Sequence, residues 1–152
     1  MARRTRILLV YNRDYGPAGG GPKLGEEARA GVLKTAHAAE KAVEKLKDVE
    51  LRVEGVDTPA SLVELLDREG PFDVAINLCE SLRGDPRYEI PVPVLLEARG
   101  VDYTGNPPLA LRLCLDKGKA RQALAEAGVP TPAGGYITTR AELAAMELPL
   151  PA

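Results

Sequence analysis

FDVAINLCESLRGDPRYEIPVPVLLEARGVDYTGNPPLALRLCLDKGKARQALAEAGVPTP, residues Phe72 to Pro132, is the stretch whose reading decides the fold. It opens on a short apolar run, Phe72–Leu78, of the length and composition of a buried strand. A polar loop follows at Cys79–Tyr88, and Glu89–Arg99 reads as a helix. Pro91 and Pro93 place the start of that helix proper near themselves, because proline is tolerated only in a first turn. Gly100 stops it. Val101–Tyr103 reads as a short strand and Tyr103-Thr104-Gly105 as a tight turn. Pro107 and Pro108 pre-set the first turn of the next helical stretch. Asp116 is a candidate cap for a helix over Lys117–Ala127, which Gly128 ends. Strand, polar loop, helix, strand, helix is the order of a parallel α/β domain, whose chemistry sits at the strand ends.

The residues before this stretch continue the alternation. Arg6–Tyr11 is a continuous apolar run and reads as a fully buried first strand. Asn12–Gly25 is a Gly- and Pro-rich loop with Gly19-Gly20-Gly21 but no G-x-G-x-x-G spacing, so a dinucleotide site of that kind is poorly supported. Such a loop is either a plain surface connection or backbone that approaches a substrate closely. Glu26–Lys47 reads as the longest helix, about 33 Å at ~1.5 Å per residue. Val32, Ala36, Ala39, Val43 and Leu46 make its apolar stripe. Glu26 and Glu27 fall in its first turn and Lys45 and Lys47 in its last, where they complement the helix dipole. Glu50–Val56 alternates apolar and polar residues, as in a strand with one more exposed face near a sheet edge. Thr58 is the expected cap of a helix that begins at Pro59, turns Leu62, Leu65 and Leu66 inward, and stops at Gly70-Pro71. His37, the only histidine, has no assigned role.

Composition bounds the function. The 152 residues suffice for a compact domain with a real core. A net charge of −2 gives no field to recruit nucleic acid or anionic membrane. Phe72 and five tyrosines are too few aromatics for a base-stacking surface. No run reaches the roughly 18 apolar residues of a membrane span, and Met1–Tyr11 lacks the longer apolar core of a secretion signal. Cys79 and Cys114 lack metal-ligand spacing and read as reduced thiols.

The same stretch resembles the N-terminal part of the D-alanine–D-alanine ligase-like ATP-grasp enzymes. The resemblance rests on the order and spacing of Asn77-Leu78-Cys79-Glu80-Ser81, Pro93-Val94-Leu95-Leu96-Glu97, Tyr103-Thr104-Gly105, Leu115-Asp116-Lys117 and Ala127-Gly128-Val129-Pro130-Thr131-Pro132. It implies a Rossmann-like parallel sheet flanked by helices over residues 1–128, the pre-ATP-grasp domain. Residues 129–152 would be the linker and the truncated start of the central ATP-grasp domain. There, Tyr136–Thr138 is expected as a strand, Thr139–Met146 as a helix, and Leu148–Ala152 as the beginning of another strand.

The activity so implied is ATP-dependent ligation of a carboxylate to an amine through an acyl phosphate, as in peptidoglycan biosynthesis. ATP and Mg²⁺ serve the complete enzyme, and the magnesium ligands and catalytic residues lie outside this chain, which alone is expected to be inactive. Lys117 matches a lysine that contacts ATP phosphates; a solvated first-turn lysine is the alternative. Glu26 or Glu27 resembles the acid that holds the first substrate's ammonium, with dipole compensation as the alternative. The loop Glu80-Ser81 departs from the His-Gly pair of typical D-alanine ligases, which puts D-alanine in question and fits another amino acid or carboxylate. There Glu80 and Ser81 are candidate substrate-binding residues, Glu80 for an ammonium, with Arg83 or Arg87 for a carboxylate, against an ordinary polar loop with internal ion pairs. The expected partners are small amino-acid-like substrates, with a homodimer as a further option and neither nucleic acid nor membrane. The expected location is the cytoplasm. Two other classes stay open: a non-catalytic binding or dimerisation module derived from such a ligase, and a flavodoxin-like nucleotide binder.

Overall fold

The computed structural model describes residues 3–13, 22–132 and 137–145, with residues 22–29 described by their backbone alone. Four strands form one parallel sheet: β1 (Thr5–Asn12), β2 (Val49–Val56), β3 (Val74–Leu78) and β4 (Asp102–Tyr103). Their spatial order is β2-β1-β3-β4. The first strand is thus central and buried, as its unbroken apolar run requires, and the alternating β2 lies at an edge. Helices α1 (Pro22–Val43), α2 (Pro59–Glu69), α3 (Pro91–Ala98), α4 (Pro108–Leu115), α5 (Lys117–Glu126) and α6 (Arg140–Ala145) follow in chain order. This is an α/β Rossmann-like arrangement of parallel strands and flanking helices.

Alternation along β1 divides the core. Leu8 and Val10 join Leu62, Leu65 and Leu66 of α2 and Val92 and Leu96 of α3 in one buried cluster. Ile7 and Leu9 point to the opposite face. There α1, packed on β1 and β2, contributes the buried Ala36 and Val43. Helix α2 begins as the sequence indicates. The Thr58 hydroxyl accepts from the Ser61 amide at 3.0 Å, and the Ser61 hydroxyl accepts from the Thr58 amide at 3.1 Å. Two backbone donors that a helix start leaves bare are satisfied reciprocally. Pro91 occupies the first turn of α3.

Three expectations need correction. The long helix runs from Pro22 to Val43, not from Glu26 to Lys47. Beyond Val43 the chain tightens into i→i−3 bonds, Lys45 to Ala42 and Leu46 to Val43, and Asp48 then takes a left-handed φ of 59°. Leu46, the stripe's last member, is 56% exposed. Glu26 and Glu27 therefore lie in the second turn, and no acid stands in the first. Lys45 and Lys47 fall outside the helix, so dipole compensation does not account for any of the four.

The expected strand at Tyr136–Thr138 is likewise not formed at Ile137 and Thr138; Tyr136 lies outside the described residues. Thr138 instead donates from its amide and its hydroxyl to the Glu142 carboxylate, at 2.7 and 2.8 Å, and so closes the start of α6. A threonine engaged in capping is withdrawn from strand pairing. The helix expected over Thr139–Met146 spans Arg140–Ala145, with the Thr139 hydroxyl accepting from the Glu142 amide. Met146 and Leu148–Ala152 lie outside the described residues, as does most of the Gly-rich loop. The chain divides into two compact units, Met1–Arg112 and Leu113–Ala152. No helix among the described residues is long and apolar enough to cross a membrane.

Candidate functional site

Because β1, β3 and β4 are adjacent and parallel, their carboxyl ends open along one edge of the sheet. Tyr11 pairs in register with Leu78, and Ala75 with Tyr103. The residues after each strand, Asn12, Cys79–Ser81 and Thr104–Asn106, therefore converge there. Crevices outside strand carboxyl ends are where open α/β sheets bind ligands.

Side chains from the strand ends fix this edge. Asn12 is 1% exposed. Its amide nitrogen donates to the Ser81 hydroxyl at 3.1 Å, and its carbonyl oxygen accepts from the Glu80 backbone amide at 3.1 Å. Asn77 accepts from the Cys79 amide at 3.1 Å through its side-chain oxygen. The Thr104 hydroxyl accepts from the Asn77 amide at 3.1 Å, while the Thr104 amide donates to the Ala75 carbonyl at 3.0 Å. Glu80 thus leaves a backbone held from two neighbouring strands.

Beyond it, Arg83 and Gly84 both take left-handed conformations, φ 58° and 68°, as the chain reverses at the Leu82–Asp85 bridge. Such a backbone is unusual for arginine. The Arg83 amide donates to the Asp57 carbonyl at 3.0 Å, and its guanidinium lies over the Tyr88 ring, 5.7 Å from the ring centre. Arg87 grips Asp85 with two nitrogens, the shortest contact being 2.6 Å. Hydrogen bonds from Arg87 hold the Asp85 carboxyl below the usual carboxylate range. Of the two arginines considered for a carboxylate, Arg87 is committed inside the loop.

A cavity of about 220 Å³ opens at this edge, walled by Asn77, Cys79, Glu80, Glu89 and Asn106 with Thr35 of α1. Glu80 is exposed and Glu89 half-buried. Burial, and then the nearby charge of Glu80, push the Glu89 carboxyl above its ordinary range. Ser81 is buried and anchors the loop through Asn12. Arg83 does not line the cavity. Glu26 and Glu27 belong to α1, but their side chains lie outside the described residues. Neither cysteine forms a disulfide.

In the second unit, Lys117 is the first residue of α5 and Asp116 is its cap, accepting from the Lys119 amide at 3.0 Å. Lys117 and Arg121, one turn apart, share a hollow of about 470 Å³ with Leu124 and Thr131. Among the described residues no group of three or more His, Cys, Asp or Glu is placed to hold a metal ion.

Of the candidates named from the sequence, Glu80 lines the strand-end cavity and Lys117 the hollow of the second unit; Asn12, Asn77, Thr104, Glu89 and Arg121 were not among those candidates. A signal was present for two of them. Asn12 closes one apolar run and Asn77 interrupts another, and a polar side chain in a buried strand needs a partner. Nothing local marked Glu89.

No protein-family model matches the chain. Several curated proteins do. It is 39% identical over 99 residues to a D-alanine--D-alanine ligase of Azorhizobium caulinodans, covering 65% of this chain and 31% of that protein. It is 39% identical over 93 residues to the D-alanine--D-alanine ligase of Xanthobacter autotrophicus, 61% of this chain and 29% of the relative. It is 35% identical over 118 residues to that of a Caulobacter species, strain K31, 78% of this chain and 34% of the relative. The matches thus span about a third of the length of these relatives.

Proposed function

Starting from a chain of the D-alanine–D-alanine ligase-like family, we propose that it is the N-terminal part of an ATP-dependent carboxylate–amine ligase whose strand-end cavity receives an amino-acid substrate. The observation that carries this is the placement of Glu80. Its backbone is held by Asn12, and the residue lines the cavity. In the proposed reaction the substrate carboxylate attacks the terminal phosphorus of ATP, the bond to the β-phosphate oxygen breaks, ADP leaves, and the carboxylate becomes an acyl phosphate. The amine of a second substrate then attacks the acyl carbon, and phosphate leaves.

This chain's own contribution is to bind and orient. Ionised Glu80 holds an ammonium, and Asn77 and Asn106 offer amide groups to the rest of the molecule. Lys117 suits ATP phosphate oxygens, and Arg121 on the same helix face adds a planar donor fork. No three potential metal ligands converge among the described residues, and no step here runs through the metal. We assign residues 1–128 to the pre-ATP-grasp domain and 129–152 to the linker and start of the central domain. The 152 residues alone are inactive on this account, and the working location is the cytoplasm. Glu80-Ser81 in place of His-Gly favours a substrate other than D-alanine, or D-alanine held differently.

The test is a ¹⁵N-NMR titration of the 152-residue chain with D-alanine, other small amino acids and D-lactate. The expected result is saturable shifts at the amides of Asn77, Cys79, Glu80 and Asn106 with at least one amino acid, and none with D-lactate. Absence of shifts at these amides with every amino acid tried would sink the reading.

A further inference from the structure

Between Cys79 and Ile90 the chain carries three carboxylates, Glu80, Asp85 and Glu89, and two arginines, Arg83 and Arg87. Neighbouring opposite charges in a short loop ordinarily pair off. Here only Asp85 and Arg87 do. The backbone turn at Arg83 sends its guanidinium to the face of Tyr88. Glu80 and Glu89 are left on the wall of the same cavity, neither with an ion-pair partner among the described residues. For Glu89 the position is unfavourable while the cavity is empty. It is half-buried, it has no hydrogen-bond partner among the described residues, and the charge that acts on it, that of Glu80 on the same cavity, has its own sign. Burial of an unpaired carboxylate raises its free energy, and a second carboxylate nearby raises it further. A cation between the two removes both penalties.

We propose that Glu89 is a second substrate-binding residue of the strand-end cavity, acting with Glu80 to grip the ammonium group of an α-amino acid and to reject hydroxy acids. The inference rests on the amino-acid reading above. Two carboxylates on one wall also orient the ligand. The substrate carboxylate is repelled from them and lies toward Asn77 and Asn106. An amine lacking a carboxylate, such as D-alaninamide, therefore meets the requirement of the acidic wall, whereas D-lactate does not.

The experiment titrates the 152-residue chain with D-alanine, D-alaninamide and D-lactate, in the wild type and in Glu89→Gln, Glu89→Asp and Glu64→Gln, the last on the exposed surface of α2. A charged hydrogen bond lost from the site weakens binding by about tenfold or more. Glu89→Gln is expected to weaken both amines by that factor, Glu89→Asp to restore part of the affinity, and Glu64→Gln to leave it unchanged. D-lactate is expected not to bind any variant. Amine binding in the wild type that Glu89→Gln leaves intact overturns the role of Glu89 while the amino-acid reading stands. Equal losses in Glu89→Asp and Glu89→Gln also overturn it, since charge is then not what matters. Failure of the wild type to bind either amine overturns both.

Discussion

At the scale of single residues, Asn12 ties the site to the sheet. It is buried at the end of the central strand and spends its donor on Ser81 and its acceptor on the Glu80 backbone. Asn12→Ala removes the hydrogen bonds to the Ser81 hydroxyl and the Glu80 amide from a buried position and is expected to lower stability by about 1–3 kcal/mol, read from urea unfolding. It should also broaden the Glu80 and Ser81 amide signals; an unchanged midpoint would contradict this account. Tyr103 offers a pH test. It donates to Glu97 at 2.6 Å, and that bond, which needs the neutral phenol, pushes its pKa from 10.0 up to about 12. Its contribution to stability is present below pH 10 and is lost as pH rises from 10 toward 12. The stability difference between wild type and Tyr103→Phe should be constant up to that window and fall within it. These residues were hard to read from sequence for a physical reason. Asn12 looks the same whether it faces water or closes a buried network. Glu89 acquires its character only once Arg83 and Arg87 are seen to be engaged elsewhere.

At the scale of elements, local rules made the helix starts legible. Thr58 with Ser61, Pro91, and Asp116 act where their sequence neighbours place them, because capping joins groups only a few residues apart. Thr58→Ala should lower stability by about 1 kcal/mol, measured by denaturation, through loss of the reciprocal cap. Asp116 gives a test with a definite sign. Its carboxyl is held below the usual range, first by the Lys119 amide, so its contribution is present at neutral pH and is lost on acidification through its folded pKa. Asp116→Asn should remove that acid dependence, followed as amide-exchange protection at Lys119 and Ala120. The far end of α1 was not legible. The apolar spacing runs on to Leu46, but a stripe reports periodicity and not whether a sheet lies beneath its last member. The strand expected at Ile137 and Thr138 failed similarly, because Thr138, β-branched and read as strand, serves as a cap once Glu142 reaches back to it.

At the scale of the molecule, strand–helix alternation was enough to give parallel pairing, a buried first strand and β2 at an edge. The sheet order then brings the ends of β1, β3 and β4 together, and with them groups up to 69 residues apart such as Asn12 and Ser81. Leu8 lies fully buried in the central strand. Leu8→Ala is expected to destabilise by about 2–5 kcal/mol. Leu109→Ala, at a position 79% exposed, should stay within about 0.5 kcal/mol of wild type. Comparable losses for both would contradict the placement of the core. The central claim is that this fold serves as the substrate-binding third of an amino-acid ligase. Its most direct measurement is phosphate release from ATP and Mg²⁺ across a panel of amino acids, by the 152-residue chain and by a chimera in which it replaces the matching segment of the Azorhizobium relative. The account predicts no release by the chain alone and amino-acid-dependent release by the chimera, reduced by Glu80→Gln. Turnover by the isolated chain, or a folded chimera that releases no phosphate with any amino acid, would contradict it.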